Sequence, residues 1–137
     1  MIEADRPGVH HLDIYNEVDV ALDPLPFTGS TTTFEALWMG VPVVTLTGDS
    51  MVSRWTTSIL HTAGLERLAA ATPDAYVAVA AELASDPEQL AALRVSLRAQ
   101  VAASPLCDGR GRTRQLERLY RAVWRHARAN AVAERQR

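Results

Sequence analysis

Val18-Asp19-Val20-Ala21-Leu22-Asp23, a loop from Pro24 to Gly29, Ser30-Thr31-Thr32-Thr33-Phe34-Glu35-Ala36-Leu37-Trp38-Met39-Gly40 and Val41-Pro42-Val43-Val44-Thr45-Leu46 make up the stretch that decides the fold. Residues 18–23 are a short apolar run with β-branched side chains, closed by Pro24 and Pro26, and read as a buried parallel strand. Residues 41–46 read as a second strand. Pro42 stands near its start, where a missing N–H is tolerated, and Gly48 follows its end. Between the two, a Ser or Thr supplies an N-cap, and Gly40 suits the left-handed residue after a last helical turn. Strand, short helix and strand in this space imply a right-handed crossover and a parallel sheet.

Outward from this unit the chain turns helical. Residues 50–63 are predicted as one helix, with Gly64 as its stop. Thr72-Pro73 opens another, Thr72 as cap and Pro73 at the first helical position. Asp86-Pro87-Glu88-Gln89 repeats that grammar with a capping-box Gln, and Ser104-Pro105 closes that helix. A last helix is predicted over 113–129, with Leu116, Leu119, Tyr120, Val123, Trp124 and Ala127 at three- to four-residue spacing. A frayed, disordered tail is expected over 131–137. The fold class is therefore α/β, a partial Rossmann-like parallel sheet with a helix-rich C-terminal half. Two or three strands are few for such a domain, which usually has about five or six.

The 137 residues, 47% hydrophobic and 22% charged, have the composition of one globular domain. No window approaches a membrane span. The acidic start, residues 1–6, does not read as a secretory signal, and a cytoplasmic location is the expectation. A single cysteine, Cys107, excludes an internal disulfide and a cysteine-based zinc cluster. Residues 1–109 carry 5 Arg against 14 Asp/Glu, net −9; residues 110–137 carry 9 Arg against 2 Glu, net +7; there is no lysine. The Arg-rich C-terminus with Tyr120 and Trp124 could suit nucleic acid. The acidic remainder opposes that ligand, so a solvated face is the reading taken.

The chemistry concentrates between Asp19 and Thr45. Open parallel sheets bind ligands at the carboxyl ends of their strands. A helix N-terminus there offers unpaired N–H groups and partial positive charge. Gly29 would let a ligand approach the backbone, Ser30, Thr31, Thr32 and Thr33 add hydroxyls, and Glu35 could accept hydrogen bonds from ribose. The residues alone leave two readings open, ordinary helix capping and a diphosphate cradle. Asp23 reads as a loop-capping carboxylate rather than a catalytic one, and Arg54 as an ion-pair partner, with a role near phosphate the alternative. His61 reads as structural, and Trp38 and Trp124 as core or docking residues. Cys107 lacks the motif of a nucleophile.

The run from Leu22 to Thr45 resembles the signature of the O-GlcNAc transferase/SPINDLY family. The similarity continues through Ser53-Arg54 and Ser58-Ile59-Leu60, and resumes at Ser104-Pro105-Leu106 and Leu116-Glu117-Arg118-Leu119-Tyr120 with Trp124. It covers roughly residues 9–128. The resemblance implies the C-terminal lobe of a GT-B fold, here over residues 1–130. It implies transfer of a sugar from a nucleotide donor to protein Ser or Thr, without a metal or other cofactor. Thr31 and Thr32 match the family's paired threonines beside the donor diphosphate. Glu35 matches the acidic ribose contact, as in SPINDLY-like members. Ser30 stands where animal O-GlcNAc transferases have His. His11 matches a histidine near the nucleobase, with His10 the alternative by one residue. The donor-binding set is thus His11, Gly29, Ser30, Thr31, Thr32, Thr33 and Glu35, and no residue is assigned to catalysis.

The matched segment starts late in the family pattern. The N-terminal lobe, the TPR repeats, the first strands of the C-terminal lobe and an upstream phosphate-contacting lysine are not in it. Catalysis by this chain alone is therefore not expected. An open sheet edge invites pairing, so a homo-oligomer or a complementing polypeptide is expected as partner, besides the nucleotide sugar (UDP- or GDP-linked) and a protein acceptor. A non-catalytic protein-interaction module or gene fragment, docking through the last helix, is the alternative.

Overall fold

The computed structural model describes Gly8 and residues 10–135. The chain divides into two compact units, Met1–Cys107 and Asp108–Arg137. The first holds three parallel strands in the order β1 (Ala21–Leu22), β2 (Val43–Leu46), β3 (Ala69–Ala70). Ala21 stands opposite Val43, and Thr45 opposite Ala69. Helix α1 (Thr31–Trp38) joins β1 to β2. A 3-10 turn (Val52–Arg54) and α2 (Trp55–Thr62) join β2 to β3, and α3 (Pro73–Ser85) and α4 (Pro87–Ala103) follow. The expected α/β class with a small parallel sheet and a helix-rich second half is what the structure shows.

The central strand explains the core. Val43, Val44 and Thr45 are all buried, as a parallel strand covered on both faces requires. The stripe Leu90, Leu93, Leu97 and Val101 turns one side of α4 inward, where it packs against α1 and α3. Thr72 and Asp86 cap α3 and α4 as read from the sequence, accepting from the N–H groups of Ala75 (3.2 Å) and Gln89 (2.9 Å). Trp38 is half-exposed, with the Arg98 guanidinium 4.7 Å over its ring, a cation–π arrangement.

Several boundaries differ from expectation, each for a local reason. The first strand shortens from 18–23 to two residues, because Arg94 takes the Val18 carbonyl and the Asp19 carboxylate (2.8 Å). The second starts at Val43 because the Val41 N–H is spent on the Ala36 carbonyl (2.8 Å). The third strand is two alanines, with no β-branched pattern to announce it. The single helix expected over 50–63 is a 3-10 turn and then α2, and Ser50 and Ser53 hydrogen-bond each other before it. In the second unit, α5 (Gly109–Arg135) is longer than the expected 113–129. Asp108 accepts from Gly111 N–H (2.8 Å) and starts the helix ahead of two glycines. Of the expected tail, residues 131–135 are helical, and 136–137 lie outside the described residues, as do residues 1–6.

Helices α1 and α2 end alike. Val41 N–H reaches Ala36 O and Gly40 N–H reaches Leu37 O; Leu65 N–H reaches Leu60 O and Gly64 N–H reaches His61 O. Both are Schellman closures with a left-handed glycine, φ +81 at Gly40 and +70 at Gly64. They differ in surroundings. A Cβ at Gly40 would lie 2.9 Å from the Arg94 backbone oxygen, whereas at Gly64 it would meet only the Gln100 amide at 3.4 Å. Gly40→Ala is therefore expected to destabilise by about 2–4 kcal/mol and Gly64→Ala by about 1 kcal/mol. Urea unfolding of both variants checks this; equal losses would remove the α1–α4 contact from the explanation.

Candidate functional site

The loop after β1 is tied down before α1 begins. Asp23, buried, accepts from the Gly29 N–H through Oδ1 (2.7 Å) and from the Thr45 hydroxyl through Oδ2 (2.7 Å). Thr28 donates its hydroxyl to the Val52 carbonyl (2.6 Å). Thr56 donates to the Gly29 carbonyl (3.0 Å) and shares a hydrogen bond with Thr33 (3.0 Å). The Tyr76 hydroxyl donates to the Asp23 carbonyl (3.2 Å). Among the described residues no buried side-chain polar atom lacks a partner. The loop-capping role read for Asp23 is what the structure shows.

This frame sorts the residues expected at the site. Gly29 is approached by the chain itself: a Cβ there would meet Thr33 Oγ1 at 2.5 Å, Thr32 Oγ1 at 2.9 Å and Asp23 Oδ1 at 3.2 Å. Its N–H is already given to Asp23. The Thr33 hydroxyl, expected among the ligand donors, is instead buried against Thr56. Thr31 and Thr32 are exposed at the start of α1, and Ser30, also exposed, makes no side-chain cap bond. The first-turn N–H groups, which a helix cannot satisfy internally, thus have no cap from Ser30.

His11, Thr32 and Glu35 come together. His11 Nε2 lies 3.3 Å from Glu35 Oε1. A 3-10 segment (His11–Glu17) brings Tyr15 to the same place, its hydroxyl 3.4 Å from Glu35 Oε2 and 3.4 Å from the Thr32 carbonyl. With Val18, Val20 and Leu22 these four residues line a cleft of about 460 Å³. A smaller hollow of about 170 Å³, lined by Tyr15, Asp23, Thr32 and Thr33 among others, is the neighbouring space at the end of β1. His10 accepts from the Leu12 N–H (3.3 Å) and so caps the 3-10 segment. Sequence reasoning missed Tyr15; the one available signal was its position four residues beyond His11.

Loose first-turn N–H groups beside two exposed hydroxyls can hold an anion. A carboxylate one turn further along can accept hydrogen bonds from hydroxyls. Parallel strands with a helix N-terminus at this end of the sheet make the class of the fold an α/β, Rossmann-like lobe. The glycosyl transferase family 41 model matches residues 9–116. A tomato (Solanum lycopersicum) protein described as a probable UDP-N-acetylglucosamine–peptide N-acetylglucosaminyltransferase SPINDLY is 47% identical over 84% of this chain and 12% of its own length. The UDP-N-acetylglucosamine–peptide N-acetylglucosaminyltransferase of Caenorhabditis elegans is 35% identical over 78% of this chain and 9% of its own. A solved O-GlcNAc transferase of Thermobaculum terrenum, a lysine-to-methionine mutant, superposes with a TM-score of 0.78 at 47% identity, covering 85% of this chain and 22% of that one. The chain belongs to glycosyl transferase family 41, the O-GlcNAc transferase/SPINDLY family, and spans about an eighth of the length of its curated plant relatives. Among the described residues no helix is long and apolar enough to cross a membrane.

Asp23→Ala strands a buried N–H and a buried hydroxyl and is expected to destabilise by about 2–4 kcal/mol; Asp23→Asn, which keeps an acceptor for Gly29, is expected to lose less. Urea unfolding of the two variants checks the order. The Tyr15 and Tyr76 hydroxyls are raised above the ordinary 10.0, first by burial and then by the charges of Glu35 and Asp23 respectively. The folded state therefore disfavours their ionisation. This contribution is fully present below pH 10 and is lost as pH climbs through the raised values. Alkaline melting curves should be flatter in the Tyr15→Phe/Tyr76→Phe variant.

Proposed function

We propose that this chain supplies the donor-binding part of a protein O-glycosyltransferase that moves a sugar from UDP-GlcNAc or a related nucleotide sugar to protein Ser or Thr. The observation that carries the reading is the convergence of the exposed Thr31 and Thr32 hydroxyls, the uncapped start of α1 and the Glu35 carboxylate at one strand end. The diphosphate takes the first-turn N–H groups and the exposed hydroxyls of Ser30, Thr31 and Thr32, the ribose takes Glu35, and His11 lies toward the base. As the sugar leaves, the growing charge on the diphosphate is stabilised by the same preorganised donors; the reading uses no metal. It places the protein in the cytoplasm.

The reading also needs more polypeptide than these elements. Two-lobed transfer gains about 7–11 kcal/mol of barrier from holding both reactants together, and this chain alone is expected to be inactive. β1 is paired on one side only among the described residues. Beside it runs a mostly apolar groove of about 620 Å³, lined by Val20, Leu90, Ala91 and Val95 among others and by the Asp19–Arg94 ion pair. A complementing polypeptide, or a second copy, would cover it. A second reading, a module that docks proteins through α5, rests on the exposed Leu116, Leu119, Tyr120, Val123 and Trp124.

Calorimetric titration with UDP and with GDP tests the first reading. One nucleotide should bind, and Thr31→Ala/Thr32→Ala should weaken it about tenfold or more, roughly 1.4 kcal/mol. Affinity untouched by the double substitution would remove the diphosphate from this helix end. A folded chain that binds neither nucleotide, yet retains protein partners, would favour the docking module.

A further inference from the structure

Tyr15 has a place in the site that neither the sequence reading nor the donor-binding proposal uses, although the inference here rests on that proposal. A tyrosine hydroxyl has one proton to give. At Tyr15 it faces two acceptors, the Thr32 carbonyl and Glu35 Oε2, each at 3.4 Å. Both distances are long for a single O–H···O bond and fit one proton shared between two oxygens. Thr32 and Glu35 are three residues apart on α1, so they lie on one helix face, one above the other. The hydroxyl therefore ties the carboxylate back toward the first turn. His11 meets the other carboxylate oxygen at 3.3 Å.

Glu35 is held in this way from two directions by residues of one 3-10 segment. A carboxylate offers about four lone-pair sites. Two are engaged, and Glu35 lines the open cleft together with His11, Tyr15 and Thr32. A glutamate side chain otherwise has much rotamer freedom to lose on binding. Fixed beforehand, its two oxygens form a ready acceptor pair for two adjacent hydroxyls.

We propose that Tyr15 is a positioning residue: through Glu35 it selects nucleotides that carry an intact ribose 2′,3′-diol. Its ring packs against the core, and a phenylalanine would preserve that packing. The hydroxyl, not the ring, does the positioning.

The test uses the whole chain and four ligands, UDP, GDP and their 2′,3′-dideoxy forms, titrated calorimetrically. Tyr15→Phe is expected to weaken the bound ribonucleotide roughly 3- to 10-fold and to leave the dideoxy form unchanged. In the double variant Tyr15→Phe/Glu35→Ala, affinity should be no lower than in Glu35→Ala alone, the signature of two residues acting through one contact. A thermal melt confirms that Tyr15→Phe folds; Tyr15→Leu repeats the measurement if it does not. Wild-type affinity in the hydroxyl-free variant, or equal weakening of ribo and dideoxy ligands, overturns the role of Tyr15 while the donor site stands. A wild-type chain that binds neither UDP nor GDP overturns the donor site itself, and the role of Tyr15 with it.

Discussion

The Asp23 carboxylate holds together three parts of the chain that would otherwise move separately. Its backbone N–H pairs with Val44 O in the sheet (2.9 Å). One carboxylate oxygen holds the Gly29 N–H at the end of the Pro-rich loop, and the other holds the Thr45 hydroxyl inside β2. A carboxylate out of contact with water is tolerated only where its oxygens are hydrogen-bonded. The requirement works in both directions: the loop must return to the strand end to satisfy Asp23, and that return fixes where α1 starts. Thr28 and Thr56 then fasten the same loop to the head of α2. The position of the first-turn N–H groups is a consequence of these bonds more than of helix propensity.

In the proposed donor-binding reading, the anion is held at the start of α1 without a lysine or arginine among its proposed contacts. Helix-end effects contribute about 0.3–1 kcal/mol each at exposed positions, modest beside a paired lysine or arginine. Glu35 and Asp23 place negative charge close by, which a free phosphate would not favour. The arrangement makes sense for a ligand that is anionic at one end and rich in hydroxyls at the other, because Glu35 then accepts from the hydroxyls. Both halves of the cleft are built on one short helix, with the segment from His11 to Glu17 as its opposite wall. The register of that wall with α1 is set in part by the long-range contacts of Tyr15 and His11 with Thr32 and Glu35.

The framework of the fold was legible because it is local. Val43-Val44-Thr45-Leu46 announces a strand buried on both faces, Gly40 and Gly64 announce left-handed helix ends, and Thr72-Pro73 and Asp86-Pro87 announce helix starts. Each rests on the backbone preferences of a few adjacent residues. The family signature around residues 22–45 was legible for the same reason, as a continuous run. Ala69–Ala70 as a strand was not, since two alanines have no pattern and the pairing is supplied by Leu46 and its neighbours. Gly109 and Gly111 hid the true start of α5 from a propensity argument that did not include Asp108 as a cap.

By itself, the sequence determined the class of the protein, the order of its main elements and the helix end where hydroxyls gather. Only the tertiary structure decided which hydroxyls are free. Thr31, Thr32 and Thr33 are identical in type and consecutive in the chain, yet two are exposed and the third is bonded to Thr56, 23 residues away. Side chains one residue apart on a helix point about 100° apart, and no local rule states which direction faces the core until α2 has packed. The same holds for Tyr15, whose partners lie 17 and 20 residues on: its role exists only once the chain has closed over α1.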